Sequence, residues 1–134
     1  MTMKKLKSLV AEDDLTSRTL LQSFLARYGE CDIAVDGQQA VEAVKAARDK
    51  NAPYDLVCMD LRMPVMDGQQ ALREIRRQEA TSRSVQTVKI IVTTAHSDME
   101  SITSALLGRC DSYLVKPIDT AKLLTELKTL GLAE

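Results

Sequence analysis

Two stretches, Tyr54–Asp60 (YDLVCMD) and Val88–Thr94 (VKIIVTT), constrain the fold most strongly. Each is a short run of apolar, largely β-favouring residues with no alternating polar face. Strands of that kind are covered on both sides, as in a parallel sheet sandwiched between helices. Three more candidate strands, Leu6–Ala11, Cys31–Val35 and Ser112–Lys116, share the chain with them. Amphipathic stretches fill the intervals. Leu20, Leu21, Phe24, Leu25 and Tyr28 form one apolar stripe, with Gly29 as its stop, and Ala40, Val41, Ala43, Val44 and Ala47 form a second. Ala71, Leu72 and Ile75 mark a third, and Ile102, Ala105 and Leu106 a fourth. Leu123, Leu124, Leu127 and Leu130 mark the last, with Asp119 as N-cap and Gly131 as stop. The polar run from Glu79 to Thr87 reads as a loop. A strand followed by a helix, five times over, specifies an α/β fold: a doubly wound parallel sheet with helices on both faces.

Composition narrows the function classes. The chain has 134 residues, enough for one domain with a core, and a net charge of −1, which calls for neither nucleic acid nor a membrane surface. No apolar run approaches the roughly 20 residues of a membrane span, and the lysine-containing N-terminus lacks a secretory pattern, so a cytoplasmic protein is expected. Cys31, Cys58 and Cys110 are odd in number and widely spaced, and are expected to be reduced thiols without a metal-binding spacing. His96 is the only histidine and reads as a loop residue. Arg73, Arg76 and Arg77, with Glu74, read as a solvated helix face, and Met59, Met63 and Met66 as packing residues.

Doubly wound sheets bind ligands beyond the carboxyl ends of their strands. There the sequence places Glu12-Asp13-Asp14 after the first strand, Asp60 at the end of the third, Thr93-Thr94-Ala95 after the fourth and Lys116-Pro117 after the fifth. Crowded carboxylates repel one another, and burial increases the cost. A hard cation such as Mg²⁺, which takes carboxylate, water and phosphate oxygens, resolves that conflict. A lysine and a threonine hydroxyl suit a phosphoryl group, so the chemistry indicated is phosphoryl transfer onto a carboxylate. Asp14 sits where it caps a helix beginning near Leu15. Thr94 is the better-placed hydroxyl, since alternation turns Thr93 the other way and Ala95 leaves room.

Glu12-Asp13, Asp60 followed by Met63-Pro64 and Asp67-Gly68, Thr94-Ala95 and the YLVKP of 113–117 together resemble the receiver domain of two-component response regulators. The likeness runs from about Leu6 to Leu130, as in a single-domain, CheY-like regulator with no output domain over residues 1–134. It implies a flavodoxin-like (βα)₅ sheet of order 2-1-3-4-5. It implies that Asp60 accepts a phosphoryl group from a phosphohistidine on a sensor histidine kinase or phosphotransfer protein. Mg²⁺ would be held by Glu12, Asp13, Asp60 and the backbone carbonyl of Arg62. Lys116 would pair with the phosphoryl group and Thr94 would hydrogen-bond it. Thr94 and Tyr113 would form the switch, and the Lys116–Pro117 peptide would be cis. Such a protein is a signalling switch and not an enzyme, beyond weak self-catalysed phosphoryl transfer and autodephosphorylation. It would signal through the face built by the fourth helix, fifth strand and fifth helix. Two features depart from the common pattern: Gly108-Arg109-Cys110 stands where a Gly-Ala pair is usual, and Arg62 is longer and more cationic than is common there. A phosphatase of the haloacid-dehalogenase type needs an acid two residues after its nucleophile, where this chain has Arg62. A degenerate receiver acting as a constitutive binding module is a third reading, against which every acceptor and ligand position is filled.

Overall fold

The computed structural model describes residues 5–82, 87–95 and 99–134. Five strands alternate with five helices: β1 (Ser8–Ala11), α1 (Leu15–Leu25), β2 (Cys31–Ala34), α2 (Gly37–Asp49), β3 (Leu56–Asp60), α3 (Gly68–Thr81), β4 (Lys89–Thr94), α4 (Met99–Leu107), β5 (Ser112–Val115) and α5 (Thr120–Thr129). All strand pairs are parallel and the sheet order is β2-β1-β3-β4-β5. The flavodoxin-like expectation is met.

Strand alternation divides the core into two layers. Leu9, Ala11, Val57, Met59, Ile90 and Val92 face one way and pack with Val41 and Val44 of α2, Leu72 and Ile75 of α3 and Ala105 of α4. Val10, Leu56, Cys58 and Ile91 face the other way and pack with Leu21, Phe24 and Leu25 of α1 and Leu123 and Leu127 of α5. Continuous apolar runs were needed because β3 is buried along its whole length. The three thiols are free, as expected, with Cys58 buried. Met59 is buried, and Met63 and Met66 pack against the core from its margin. Among the described residues, no helix is long and apolar enough to cross a membrane.

Four expectations are corrected. Leu6, Tyr54 and Val88 are buried yet lie outside the strands, because they fill the core without pairing in the ladder. Leu20 and Leu106 are exposed, so the apolar faces of α1 and α4 are narrower than the spacing suggested. Glu79 to Thr81 belong to α3 and not to a loop. Arg76 is not solvated. Its side chain is only 10% exposed and runs between α3, β4 and the segment leading into β5, the guanidinium bonding Glu79, Asp111 and the carbonyls of Val88 and Arg109. His96 lies outside the described residues.

The end of α4 explains the unusual Gly108-Arg109-Cys110. The Cys110 N–H bonds the Ala105 carbonyl at 3.1 Å and the Arg109 N–H bonds the Leu106 carbonyl at 3.0 Å, the paired bonds of a Schellman cap. That cap needs a left-handed residue, and Arg109 supplies it at φ 70°. Gly108 is occupied elsewhere: a Cβ there would stand 3.0 Å from Leu72 Cδ2, where α4 meets α3. A left-handed non-glycine costs about 1–2 kcal/mol, and glycine gives back part of the gain in chain entropy. Arg109→Gly is therefore expected to stabilise the fold by up to about 1 kcal/mol, seen as a melting temperature about 2–4 °C higher. An unchanged or lower melting temperature would show that the Arg109 side chain contributes more to the fold than its backbone strain costs.

Candidate functional site

β1, β3 and β5 deliver their carboxyl ends to one edge of the sheet. Glu12 and Asp13 follow β1, Asp60 ends β3 and Lys116 follows β5. The helix starts beside them are fixed locally. Asp14 caps α1 by accepting the Ser17 N–H at 2.9 Å, as its spacing indicated, and is thereby occupied. Asp67 caps α3 in a reciprocal box with Gln70. Gly68 sits where a Cβ would fall 2.1 Å from the Asp60 carbonyl oxygen, so α3 starts hard against the backbone at the end of β3.

Glu12 is completely buried and Asp60 only 5% exposed, whereas Asp13 faces solvent. One carboxylate oxygen from each lies within 4.8 Å of the others. Lys116 Nζ stands 2.6 Å from Glu12 Oε1 and 3.3 Å from Asp60 Oδ2, bridging the two buried acids. The shorter contact is an ion pair by distance, approached outside good hydrogen-bond angles. The Asp14 N–H supports the other Glu12 oxygen at 3.1 Å, and the Arg62 N–H supports Asp60 Oδ1 at 3.3 Å. Burial raises the pKa of the Glu12 carboxyl above its ordinary value, with the neighbouring Asp60 adding to the rise and the Lys116 contact opposing it. Burial pulls the Lys116 ammonium the other way, but the contacts with Glu12 and Asp60 outweigh it and its pKa is raised.

The remaining predicted residues lie around this cluster. Thr94 is buried at the end of β4, and its carbonyl accepts the Lys116 N–H at 2.7 Å, tying the two strand ends together. Thr93 is paired in register with Asp60, and its buried Oγ1 has no hydrogen-bond partner among the described residues. Tyr113 is 39% exposed on β5. Arg62 is exposed beyond Asp60, and the Lys116–Pro117 peptide is cis. Two features were not anticipated. Val65, in the loop that carries Arg62, is held at φ 69°, a strained conformation for a β-branched residue. Arg18 reaches back from α1 to the Glu12 backbone carbonyl at 3.3 Å, bracing the backbone that carries Glu12.

An octahedral Mg²⁺ holds oxygens at about 2.0–2.1 Å, so opposite ligands stand about 4 Å apart. Three carboxylate oxygens within 4.8 Å fit that geometry after small adjustments. The donor set, all oxygen and partly buried, suits Mg²⁺ and not a thiolate- or imidazole-seeking metal.

The chain matches the family described as the response regulator receiver domain over residues 9–128. It is 31% identical over 133 residues to the two-component response regulator ORR41 of Oryza sativa subsp. japonica, covering 99% of this chain and 100% of that one. It superposes with a TM-score of 0.78 and 32% identity on the receiver domain of sensor histidine kinase PA1611 from Pseudomonas aeruginosa, a structure with magnesium coordinated in the active-site cleft. That match covers 96% of this chain and 99% of the other. A third similarity, with TM-score 0.81 and 30% identity over 98% of this chain and 92% of the other, is to a Saccharomyces cerevisiae co-crystal structure. It contains the histidine phosphotransfer protein Ypd1 and the receiver domain of its downstream response regulator Ssk1. The chain spans only 4–7% of the length of the hybrid histidine kinases it matches. Parallel order, strand-end acids and a family match over nearly the whole chain converge: this chain belongs to the response regulator receiver domain family, the signalling switches of two-component systems.

Proposed function

We propose that this receiver domain accepts a phosphoryl group on Asp60 from the phosphohistidine of a sensor histidine kinase or a phosphotransfer protein. The observation that carries the reading is the Asp60 carboxylate, buried at a strand end between Lys116 at 3.3 Å and the acids Glu12 and Asp13. Burial keeps the acceptor from being solvated, while an N–H and an ammonium hold it in one orientation. In the transfer a carboxylate oxygen of Asp60 bonds to phosphorus and the phosphorus–nitrogen bond of phosphohistidine breaks. Its electron pair returns to the ring, which leaves as neutral imidazole because the other ring nitrogen carries a proton. Lys116 follows the developing charge onto the phosphoryl oxygens, and Thr94 hydrogen-bonds one of them. Glu12, Asp13, Asp60 and the Arg62 carbonyl would hold Mg²⁺, which supplies the positive charge that lets a phosphoryl dianion approach three carboxylates.

The phosphorylated protein signals by contact. The reading assigns output to the α4–β5–α5 face, where Tyr113 and Val115 are exposed, with movement of Thr94 giving the Tyr113 ring room to turn inward. Such a change biases a pre-existing equilibrium, so the unphosphorylated protein keeps weak affinity for its target. The phosphoryl group is returned slowly to water. Arg62 either covers it and limits the approach of that water or, exposed as it is, points into solvent and takes no part. Equal dephosphorylation rates for the native protein and Arg62→Ala would select the second.

Intact mass spectrometry after incubation with a small phosphodonor tests the assignment. The native protein is expected to gain one hydroxylamine-labile phosphoryl group with Mg²⁺ and none with excess chelator. Asp60→Asn is expected to gain none. Full labelling of that variant would overturn Asp60 as the acceptor.

A further inference from the structure

α3 and α4 leave between them a groove of about 360 Å³ whose lining includes Arg73, Arg76, Arg77, Leu107, Gly108 and Arg109. The chain as a whole carries a net charge of −1, so four arginines in one groove do not reflect overall basicity. They are not equivalent. Arg76 is committed to Glu79 and Asp111, and Arg77 to Glu74 at 2.9 Å. Arg73 and Arg109 are exposed and have no side-chain partner among the described residues. Leu107, 81% exposed, projects an apolar side chain beside them. Arg109 also occupies the left-handed cap position at φ 70°, where glycine would be the unstrained choice. The Arg76 guanidinium holds the Arg109 carbonyl at 3.0 Å and fixes that backbone in place. An exposed guanidinium held on a fixed backbone and without an intramolecular side-chain partner is free to meet an external carboxylate.

We propose that this groove docks an acidic amphipathic helix of a partner protein, its carboxylates meeting Arg73 and Arg109 and its apolar face covering Leu107. The charge of the two free guanidiniums selects the partner's sign, and guanidinium–carboxylate pairing is geometrically specific. Leu107 in the same groove favours an amphipathic helix over a nucleic-acid backbone, which presents phosphates and asks for a longer row of cations. The surface is separate from the phosphoacceptor cluster, and docking there does not require phosphorylation.

The test is fluorescence anisotropy with a labelled helical peptide of about 16 residues, glutamates on one face and leucines on the other, without phosphodonor. Saturable binding at low salt is expected, weakening about tenfold as salt is raised to about 0.3 M. Arg73→Ala and Arg109→Gly are each expected to weaken it about fivefold. Arg109→Gly is the informative variant, because it is expected to melt higher than the native protein, so its loss of binding does not come from unfolding. Undiminished binding by Arg109→Gly would overturn the proposal. So would equal binding of the peptide with lysine in place of glutamate, or tighter binding of a mixed-sequence DNA duplex.

Discussion

Arg76→Ala is expected to destabilise the protein by about 3–5 kcal/mol, the cost of removing one partner from a buried ion pair. The Arg76 side chain is only 10% exposed and its guanidinium makes four contacts: Glu79 Oε1 and the Val88 carbonyl at 2.8 Å, Asp111 Oδ2 at 2.9 Å and the Arg109 carbonyl at 3.0 Å. Its partners also brace backbone. Glu79 Oε2 accepts the Val88 N–H and Asp111 Oδ2 accepts the Ile90 N–H, both at 2.8 Å. Truncation to alanine takes the shared cation from both carboxylates, leaving Glu79 without an ion-pair partner and Asp111 with only Lys89 at 4.0 Å, at the point where β4 enters the sheet. For a domain of this size the melting temperature should fall by about 10–15 °C. Adding Glu79→Gln should restore about 1–2 kcal/mol, because it removes an uncompensated charge while keeping an acceptor for Val88. A loss below about 1 kcal/mol for Arg76→Ala, or no recovery in the double variant, would show the network to be solvated in effect.

That network is also what sequence reasoning missed. An arginine and a glutamate three residues apart on an amphipathic helix look the same whether water or a neighbouring loop covers them. The partners that decide the matter, Val88, Arg109 and Asp111, come from later in the chain, and only the packing of α3 against β4 and the entry to β5 brings them near. The five strands were legible because runs such as LVCMD and KIIVTT carry no polar face, and a run of that kind has few places to go. Their ends were less so: Tyr54 and Val88 have the same apolar character as the ladder residues, and burial alone does not say which of them also pairs. The cluster of charges at the strand ends was legible for a different reason. Glu12, Asp60 and Lys116 are charges placed directly after apolar strands, and a charge in that position needs either solvent or a partner. Arg109 was hidden by its neighbour, since a glycine near the end of a helix suggests the left-handed cap. Here Gly108 is spent on the approach of Leu72.

Lys116→Ala is expected to make the fold strongly dependent on Mg²⁺. In the native protein the Lys116 ammonium lies 2.6 Å from Glu12 and 3.3 Å from Asp60, occupying the charge-compensating role that a divalent cation would take among Glu12, Asp13 and Asp60. Without the lysine and without metal, two buried carboxylates repel with nothing between them, at a cost of about 2–4 kcal/mol. Saturating Mg²⁺ should recover most of that loss, so the variant should show a much larger rise in melting temperature on adding Mg²⁺ than the native protein. Calorimetric titration should show Mg²⁺ binding about tenfold more tightly to Lys116→Ala, the equivalent of about 1.4 kcal/mol of competition removed. The pH dependence has a definite sign. Burial raises the Glu12 pKa above the ordinary value of 4.5, so its charged form is disfavoured in the folded state. That penalty is present at neutral pH and is relieved as pH falls through the raised folded value. Because Lys116 opposes the rise, its removal should lift that value further. In chelator, Lys116→Ala should therefore gain stability relative to the native protein as the pH is lowered from 7, while its Mg²⁺ affinity falls over the same interval as protons compete for Glu12. A variant that binds Mg²⁺ no more tightly than the native protein, and whose stability deficit does not change with pH, would mean that Lys116 and the cation do not compete for these carboxylates.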